Sequence, residues 1–474
     1  MSDPGADIES ALAAILGRRG VLTGADTGRY CQDWRELFQG RTPAVARPAD
    51  AQEVSSVLRF CAARGLPVVP QGGNTGNSGG AVPSADGSQL VLSLERMNRI
   101  RHVDPLDMTM TVEAGVTLKA AQEEAARHGC LLPLSIGAEG TAQIGGILST
   151  NAGGNNTVRY GNARDLVLGL EAVFADGQIW NGLRRLRKDN TGYCLRQLLV
   201  GAEGTLGIIT AAVLKLVPQP RERETAFCAV ASPEAALALF ARFQAYDPAA
   251  LSAFEYIGST IMQLVLKHVP GAALPLAAPA EHYVLLELST PRENADLRAD
   301  LERVLEAAMT DALVLDAAIP ESETQRLALW RMREEHSAAQ KREGASVKND
   351  VSVPVSCVPE LIRRASAACE TLLPGIRPVV FGHVGDGNIH FNLAQPEGTD
   401  PAAFMTRDHE IMDAVNAVVF ALGGSFSAEH GIGQLKPYLM PAWRGGAELD
   451  AMQRIKAALD PQGLLNPGKV LPLL

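Results

Sequence analysis

The chain has 474 residues, of which 46% are hydrophobic and 20% charged, and its formal net charge is −10. This length has room for about two or three domains, and the composition is that of a globular protein, not of a disordered or membrane-embedded one. The negative charge and the lack of long basic runs disfavour nucleic acid as a partner. No apolar run reaches the ~18 residues of a spanning helix, the start lacks a signal-peptide pattern, and the cysteines are scattered, so we expect a cytoplasmic protein with reduced thiols.

The first part of the chain alternates short helices and strands. The predicted elements are a helix at 51–64, strands at 66–70, 90–94 and 108–114, a helix at 118–128, and a hairpin turning at 176–177. Gly65 ends the first helix. The triplet Pro218-Gln219-Pro220 interrupts the pattern and is the main predicted domain boundary.

The second part has longer predicted elements. They are a strand from Thr225, a helix at 233–246 capped by Ser232, a strand at 282–288, helices at 295–312 and 321–343, and a strand at 350–355. We expect the helices to pack on one face of an antiparallel sheet, giving an α+β fold. The C-terminal stretch is mainly helical in pattern.

Three glycine-rich segments carry the first functional signal. One runs from Pro70 to Pro83 and reads Pro-Gln-Gly-Gly-Asn-Thr-Gly-Asn-Ser-Gly-Gly-Ala-Val-Pro after an apolar strand. Its glycines can take positive φ and let backbone amides converge on a phosphate, although a mobile linker is the alternative. The segments at 133–154 and 200–210 lack the G-x-G-x-x-G of a nicotinamide-binding unit. A phosphate-bearing cofactor other than a nicotinamide is therefore expected.

Five motifs in order give the chain a family resemblance. They are Gln71-Gly72-Gly73-Asn74-Thr75-Gly76, Thr150-Asn151-Ala152-Gly153-Gly154, Gly382-His383-Val384-Gly385-Asp386-Gly387-Asn388-Ile389-His390, Ser427-Ala428-Glu429-His430-Gly431 and Asn466-Pro467-Gly468-Lys469. With them the chain resembles FAD-dependent oxidoreductases of the vanillyl-alcohol oxidase type, and among these the D-2-hydroxy-acid dehydrogenases, above all those acting on D-2-hydroxyglutarate. The resemblance implies an FAD-binding domain at 1–218, an antiparallel-sheet substrate and metal-binding domain at 219–455, and a C-terminal segment at 456–474 that returns to the FAD domain.

The resemblance also implies which residues hold FAD. The first glycine-rich loop would bind the pyrophosphate, the second segment would line the ribityl chain and the isoalloxazine, and Ile209 would pack near the adenine. The implied residues are Gln71, Gly72, Gly73, Asn74, Thr75, Gly76, Pro133, Gly137, Thr141, Gly145, Gly146, Thr150, Asn151, Gly153, Gly154, Ile209 and Asn466. No histidine lies between Pro70 and Pro83 for covalent attachment, so we expect noncovalent FAD.

Two histidines on a predicted hairpin indicate a metal site. The turn Gly385-Asp386-Gly387 lets His383 and His390 lie side by side. The resemblance supplies Glu429 as the third ligand. Two imidazoles, one carboxylate and an open position are typical of catalytic Zn²⁺, although Mn²⁺, Co²⁺ and Fe²⁺ accept the same ligand types. A structural metal site in a metal-independent flavoenzyme is the alternative.

The reaction expected of such a site moves a hydride from C2 of a 2-hydroxy acid to FAD while the hydroxyl loses a proton. His430, next to Glu429, is the candidate general base, because an imidazole pKa near ~6.5 suits proton abstraction. Asn392 lies two residues past His390 on the predicted strand and is a candidate hydrogen-bond partner of the substrate.

Arg333, Ser337 and Lys348 form the predicted carboxylate-binding set. Arg333 and Ser337 are spaced i, i+4 on the predicted long helix, and the resemblance implies that all three bind the substrate's distal carboxylate, with serine in place of threonine. Without the resemblance, a solvated face of a charged helix would be preferred. The expected substrate is D-2-hydroxyglutarate, oxidised to 2-oxoglutarate, and D-malate is a further candidate. The alternative is a D-lactate or glycolate dehydrogenase, which needs only one carboxylate grip.

The resemblance gives two expectations about partners. Electrons would leave to an electron-transfer flavoprotein or a quinone, and the chain would form a homodimer. A noncatalytic subunit that binds FAD for electron transfer or assembly is the alternative from another functional class. It would bind FAD without being reduced by substrate.

Overall fold

The chain folds into two compact units. A computed structural model describes residues 4–472, with the side chains of 7–472. Among the described residues, the first unit comprises 4–153, 162–219 and 429–472, and the second comprises 154–161 and 220–428. The chain therefore enters the second unit within the triplet Pro218-Gln219-Pro220. It returns to the first unit at Glu429, earlier than the predicted 456.

Within the described residues, three sheets form the first unit. Its strands are β1 (Val21–Leu22), β2 (Val45–Ala46), β3 (Val68–Gln71), β4 (Leu90–Ser93), β5 (Ile100–Asp104), β6 (Thr109–Glu113), β7 (Cys130–Leu131), β8 (Val167–Val173), β9 (Ile179–Gly182), β10 (Ile208–Lys215) and β11 (Val217–Pro218). The sheet β1-β2-β4-β3 is mixed, because β4 pairs in parallel with β2 and β3. The sheet β5-β6-β10-β8-β9 is antiparallel, and β7 pairs with β11.

The second unit is built on one antiparallel sheet, as far as its described residues go. Its strands are β12 (Glu222–Val230), β13 (Leu251–Gly258), β14 (His282–Thr290), β15 (Val314–Ala318), β16 (Ser346–Val347), β17 (Asp350–Ser352), β18 (Arg377–His383) and β19 (Asn388–Ala394). Their order is β15-β12-β14-β13-β18-β19-β16, with β17 also paired to β19. The hairpin of β18 and β19 pairs Phe381 with His390 and His383 with Asn388.

Local sequence signals set several helix ends. The described helices are α1 (Pro4–Leu16), α2 (Ala51–Arg64), α3 (Leu118–Arg127), α4 (Ile144–Thr150), α5 (Thr157–Tyr160), α6 (Leu195–Leu199), α7 (Pro233–Tyr246), α8 (Ser259–His268), α9 (Leu297–Thr310), α10 (Glu323–Glu334), α11 (His336–Glu343), α12 (Val358–Leu372), α13 (Pro401–Met405), α14 (Asp408–Ala421), α15 (Met440–Trp443) and α16 (Ala447–Leu459). Gly65 ends α2 in the left-handed region, and the Ser232 hydroxyl caps α7 by accepting from the Ala235 amide. None of the described helices has the length and apolarity to cross a membrane.

Helices cover both faces of the second unit's sheet, so the prediction of helices on one face was wrong. Helices α7, α9, α12 and α14 pack on one face, whereas α8, α10 and α11 pack on the other. Strand β14 shows the cause, because Leu286 and Leu288 contact the first layer while Tyr283 and Leu285 contact the second. A strand with apolar side chains on both faces is buried only when both faces are covered.

The helix predicted over 321–343 is two helices. Helix α10 ends at Glu334 and α11 begins at His336. Arg333 is buried and Ser337 is exposed, so the two do not share a helical face and the i, i+4 interpretation was wrong. The break lets His336, at the start of α11, pack edge-on against Phe381 with 4.7 Å between ring centroids.

Candidate active site

The first glycine-rich loop leaves β3 and lies against the second glycine-rich segment, within the first unit. A Cβ added to Gly73 would overlap the carbonyl oxygen of Thr141 and lie 2.8 Å from its carbonyl carbon, so only glycine fits there. A Cβ added to Gly76 or Gly146 would meet no atom within 4 Å. The loop is thus held close at Gly73 and borders open space at Gly76, and the second segment borders open space at Gly146.

The loop takes left-handed backbone at two residues, Asn74 with a φ of 52° and Gly79 with a φ of 68°. Gly72, Gly73 and Gly76 do not have positive φ, and Gly73 serves close approach instead. The Asn74 side-chain amide donates to the Gln32 carbonyl at 2.8 Å, which holds this turn. Asparagine is one of the few residues other than glycine that accept this conformation readily.

Two amide side chains beside the loop carry a buried oxygen with no partner among the described residues. Asn466 donates through Nδ2 to the Gly80 and Glu203 carbonyls at 2.9 and 2.8 Å, but its Oδ1 accepts nothing. The Oε1 of Gln143, on the second segment, is in the same state. Buried acceptors without partners are uncommon, and hydroxyl and N–H groups of a ribityl flavin would satisfy them. These two acceptors and the open cradle therefore fit FAD.

The other predicted cofactor residues are placed as follows. Gln71 donates to the Tyr30 and Ala81 carbonyls, Ile209 is buried in β10, and Asn151 ends α4 with a φ of 52°. Thr75, Pro133, Gly137, Gly145, Thr150 and Gly153 also lie in the first unit, whereas Gly154 lies in the second. Their roles toward FAD stay predictions.

A buried glutamate, given no role by the sequence, holds the chain that follows His430. The two oxygens of Glu203 accept from the amides of Ile432 and Gly433 at 2.7 and 2.8 Å. Burial raises the pKa of Glu203, and these two bonds oppose the rise. The Ser78 hydroxyl, in the first glycine-rich loop, donates to the His430 carbonyl at 3.2 Å. The backbone at the candidate base is thus tied to the cradle.

In the second unit, the β18–β19 hairpin brings His383 and His390 together. Their ring centroids are 5.7 Å apart, and both side chains are buried. Asp350, at the start of β17, lies across from His390 in register, with 3.6 Å between its Oδ1 and the His390 Nδ1. The same oxygen accepts from the Asn388 side-chain amide at 2.9 Å.

Within the second unit, Asp350 and His390 offer a carboxylate and an imidazole side by side. Glu429 and His430 directly follow Ala428, whose amide donates to the Asp350 carboxylate at 3.2 Å. Imidazole and carboxylate donors suit Zn²⁺ and other divalent metals. The sequence did not predict Asp350, for which the one signal was a carboxylate opening a strand.

The metal role of His383 stays a prediction. Its Nδ1 lies 2.6 Å from Oε1 of Glu255, a carboxylate in the middle of β13. Oε2 of Glu255 accepts from Nε and Nη2 of Arg333, both at 2.8 Å. Burial opposes ionisation of Glu255, but the charges of His383 and Arg333 outweigh it and lower its pKa to about 2. The sequence analysis did not predict β13 or a role for Glu255. The available signal was a single acidic residue among Phe254, Tyr256 and other apolar residues.

The predicted carboxylate-binding residues are only partly brought together. Arg333 lies over the Phe381 ring, 5.1 Å from its centroid, beside the histidine hairpin. Ser337 is exposed, and Lys348 is half-buried between β16 and β17. The contact with Phe381 therefore places Arg333 next to the histidines.

Asn392 and His336 complete this face of the sheet. The Asn392 amide donates to Oε1 of Gln340 at 2.9 Å and accepts from the Asn349 amide at 3.1 Å, so it holds neighbouring segments together. His336 is 1% exposed, and neither ring nitrogen has a partner among the described residues. Burial lowers its pKa well below the usual value, with a further contribution from Arg333. His336 is therefore a neutral imidazole in the layer between α11 and β18.

Comparison with known proteins identifies the family. The model "FAD linked oxidases, C-terminal domain" matches residues 219–470, and "FAD binding domain" matches 42–182. The chain is 37% identical to D-2-hydroxyglutarate dehydrogenase of Xanthomonas citri pv. viticola, over 99% of this chain and 97% of that one. It is 38% identical to the mitochondrial D-2-hydroxyglutarate dehydrogenase of Bos taurus, over 93% of this chain and 79% of that one. It is 33% identical to a D-2-hydroxyglutarate–pyruvate transhydrogenase of Saccharomyces cerevisiae, over 93% and 89%.

Solved structures show the same fold at lower identity. p-Cresol methylhydroxylase with substrate bound superposes with a TM-score of 0.74 at 16% identity, covering 100% of this chain and 98% of that one. Alkyldihydroxyacetonephosphate synthase gives a TM-score of 0.73 at 17% identity, covering 98% and 85%. The expected α+β architecture, an FAD-binding domain with a large antiparallel sheet in the second domain, is confirmed. The chain belongs to the FAD-linked oxidase family of vanillyl-alcohol oxidase type and is an FAD-linked oxidoreductase.

Proposed function

We propose that this protein is an FAD- and metal-dependent dehydrogenase that oxidises D-2-hydroxyglutarate to 2-oxoglutarate, with D-malate as a second substrate. The observation that carries the proposal is the pair of Asp350 and His390, with Asp350 bonded to the amide of Ala428, the residue that directly precedes Glu429 and His430 in a chain of this family. The names of relatives at 37% identity over nearly the whole chain support the choice of substrate. Zn²⁺ is the metal we propose, because imidazole and carboxylate ligands are those of catalytic zinc sites.

The proposal assigns metal binding and proton abstraction to different residues of the chain. When bound, FAD supplies the hydride acceptor, and the metal supplies a Lewis acid that lowers the pKa of the substrate hydroxyl. His390 and Glu429, with His383 as predicted, would hold the metal. His430 would take the hydroxyl proton, and its backbone is held for this by the contact from Ser78.

The remaining residues act on substrate position. Arg333 would bind the distal carboxylate through the part of its guanidinium that Glu255 does not engage, with Ser337 and Lys348 as further predicted donors. Asn392 would orient the substrate from the same strand as His390. The electrons would leave to an electron-transfer flavoprotein or a quinone, and we propose a homodimer.

An anaerobic flavin-reduction experiment tests this function. D-2-Hydroxyglutarate, D-malate, D-lactate and glycolate are added separately to the purified yellow protein, and the flavin band near ~450 nm is followed, since the cofactor carries the redox signal. We expect fast bleaching by the two dicarboxylates, lost after chelation and restored by Zn²⁺. Bleaching that survives complete removal of the metal would contradict metal dependence, and FAD that no substrate bleaches would favour a noncatalytic subunit.

One observation favours the second candidate, a D-lactate or glycolate dehydrogenase. Arg333 is already paired with Glu255, and Ser337 is exposed. These two residues are therefore less available to bind a distal carboxylate than the sequence predicted. The variant Arg333→Lys separates the two, because it keeps a charge beside Glu255 but removes the two-pronged donor. If the distal carboxylate binds Arg333, kcat/KM for D-2-hydroxyglutarate falls about 10- to 100-fold, the size of a lost charge-assisted hydrogen bond, while D-lactate changes less than about twofold. Equal loss on both substrates would remove the argument for a dicarboxylate.

A further inference from the structure

Glu255 is a fully buried charge in the centre of a sheet. It lies in β13, between β14 and β18, and its side chain has no exposed surface. The adjacent residues Phe254 and Tyr256 belong to the apolar layer on the opposite face. Burying a carboxylate is costly unless it is paired and hydrogen-bonded, and an apolar residue of similar volume is often as stable at such a position. Stability therefore does not explain why a carboxylate occupies this position, and we infer that Glu255 has a further role.

The two oxygens of Glu255 serve two different functional side chains. Oε1 lies 2.6 Å from Nδ1 of His383, and Oε2 lies 2.8 Å from both Nε and Nη2 of Arg333. An ionised carboxylate only accepts, so Nδ1 of His383 carries the hydrogen. This is the tautomer that can present Nε2 to a metal, and metal-binding histidines commonly donate their other N–H to a carboxylate.

We propose that Glu255 is a positioning residue that couples the metal ligand His383 to the substrate-binding Arg333. It fixes the tautomer and orientation of the imidazole with one oxygen and the direction of the guanidinium with the other. The inference rests on the proposed function for the roles of His383 and Arg333, and deepens it by naming the group that sets both. Loss of Glu255 should therefore weaken metal binding and substrate binding together.

The same sheet offers a matched control in Glu287. This residue is also a buried glutamate, on the neighbouring strand β14, where it is paired with Ala253 of β13. Its Oε2 accepts from Arg326 at 2.8 Å and from the Trp330 ring N–H at 3.0 Å, both on α10, the helix that carries Arg333. The two glutamates thus share burial, an arginine partner and a helix. Among the described residues, the side-chain partners of Glu287 are Thr225, Arg326 and Trp330, and none is a histidine.

The test compares Glu255→Gln with Glu287→Gln in FAD-loaded protein stripped of metal. Zn²⁺ binding is measured by calorimetry, and KM and kcat for D-2-hydroxyglutarate are measured after Zn²⁺ is restored. We expect Glu255→Gln to weaken Zn²⁺ binding 10- to 100-fold, the usual effect of losing such a partner, and to raise KM, whereas Glu287→Gln leaves both within about twofold. Both variants should lower the melting temperature, so that readout alone does not distinguish them.

Each outcome bears on the proposal. Unchanged Zn²⁺ affinity in Glu255→Gln, an equal loss in Glu287→Gln, or a wild-type protein that binds no Zn²⁺ overturns it. If no hydroxy acid reduces the wild-type flavin but Glu255→Gln alone still weakens Zn²⁺ binding, the proposed function fails and the positioning of the metal ligand stands. If Glu255→Gln does not fold, Glu255→Asp decides: it keeps the charge but is one methylene too short to reach both partners, so weakened Zn²⁺ binding supports the proposal and wild-type affinity contradicts it.

Discussion

The variants Gly73→Ala, Gly76→Ala and Gly28→Ala test the FAD cradle. An added methyl group would meet backbone at the first position and open space at the other two, and only one of those two open positions lies in the cradle. At Gly73 the methyl would overlap the Thr141 carbonyl oxygen and lie 2.8 Å from its carbon, so backbone must move. At Gly76 it would meet no protein atom within 4 Å. At Gly28, an exposed position in the 3₁₀ helix Gly24–Tyr30, it would also meet no atom within 4 Å. Gly28 is therefore the control for the substitution itself.

The structure sets a different magnitude for each variant. Overpacking against backbone costs about 1–3 kcal/mol or more, so FAD-free Gly73→Ala should melt several degrees lower, at about 2–4 °C per kcal/mol for units of this size. FAD-free Gly76→Ala and Gly28→Ala should melt near wild type or slightly above it, because alanine narrows the unfolded ensemble by about 0.4–1 kcal/mol. If the space beside Gly76 is where FAD binds, Gly76→Ala should bind FAD at least about tenfold more weakly, a loss of about 1.4 kcal/mol.

Two assays on the same samples decide the matter. Melting of FAD-free protein reports the fit of the loop, and quenching of flavin fluorescence during titration reports FAD affinity. Gly76→Ala should keep the melting temperature of the FAD-free protein but weaken FAD binding. FAD affinity in Gly76→Ala equal to that of Gly28→Ala would refute the assignment of the open space to the cofactor. A wild-type melting temperature for FAD-free Gly73→Ala would refute the close approach to Thr141.

Two further predictions concern buried polar groups. His336→Leu should raise the free energy of unfolding by about 1–2 kcal/mol in denaturant titrations, because it removes buried ring nitrogens without partners among the described residues, and a loss of stability would contradict this. Burial lowers the pKa of Lys469 to about 8, so the folded state binds fewer protons than the unfolded state between that value and the usual one of 10.5. In FAD-free protein, the stability of wild type relative to Lys469→Met should therefore rise by about 3 kcal/mol from pH 8 to pH 10.5, at about 1.4 kcal/mol per pKa unit. A difference independent of pH would show that Lys469 is charged at its ordinary pKa.

Local signals in the sequence were sufficient for elements whose ends are set by neighbouring residues. The helix at 233–246 begins and ends where its pattern predicts, because the Ser232 cap and the apolar spacing both act within a few residues. The hairpin with His383 and His390 was predicted for the same reason, since a tight turn fixes which strand residues face each other. The glycine loop was recognised by composition, but its left-handed residues proved to be Asn74 and Gly79, not Gly72, Gly73 or Gly76.

The contacts that assemble the candidate site depended on residues far apart in the chain. Glu255 meets His383 across 128 positions, and nothing near β13 in sequence indicates that partner. The break between α10 and α11 lets His336 pack against Phe381, a contact that the helical spacing of 321–343 does not indicate. The sequence by itself determined the family, the cofactor class and the chemical types of the site residues, because motifs and turns are local. The tertiary structure decided which of them meet, because burial selects partners by position in space.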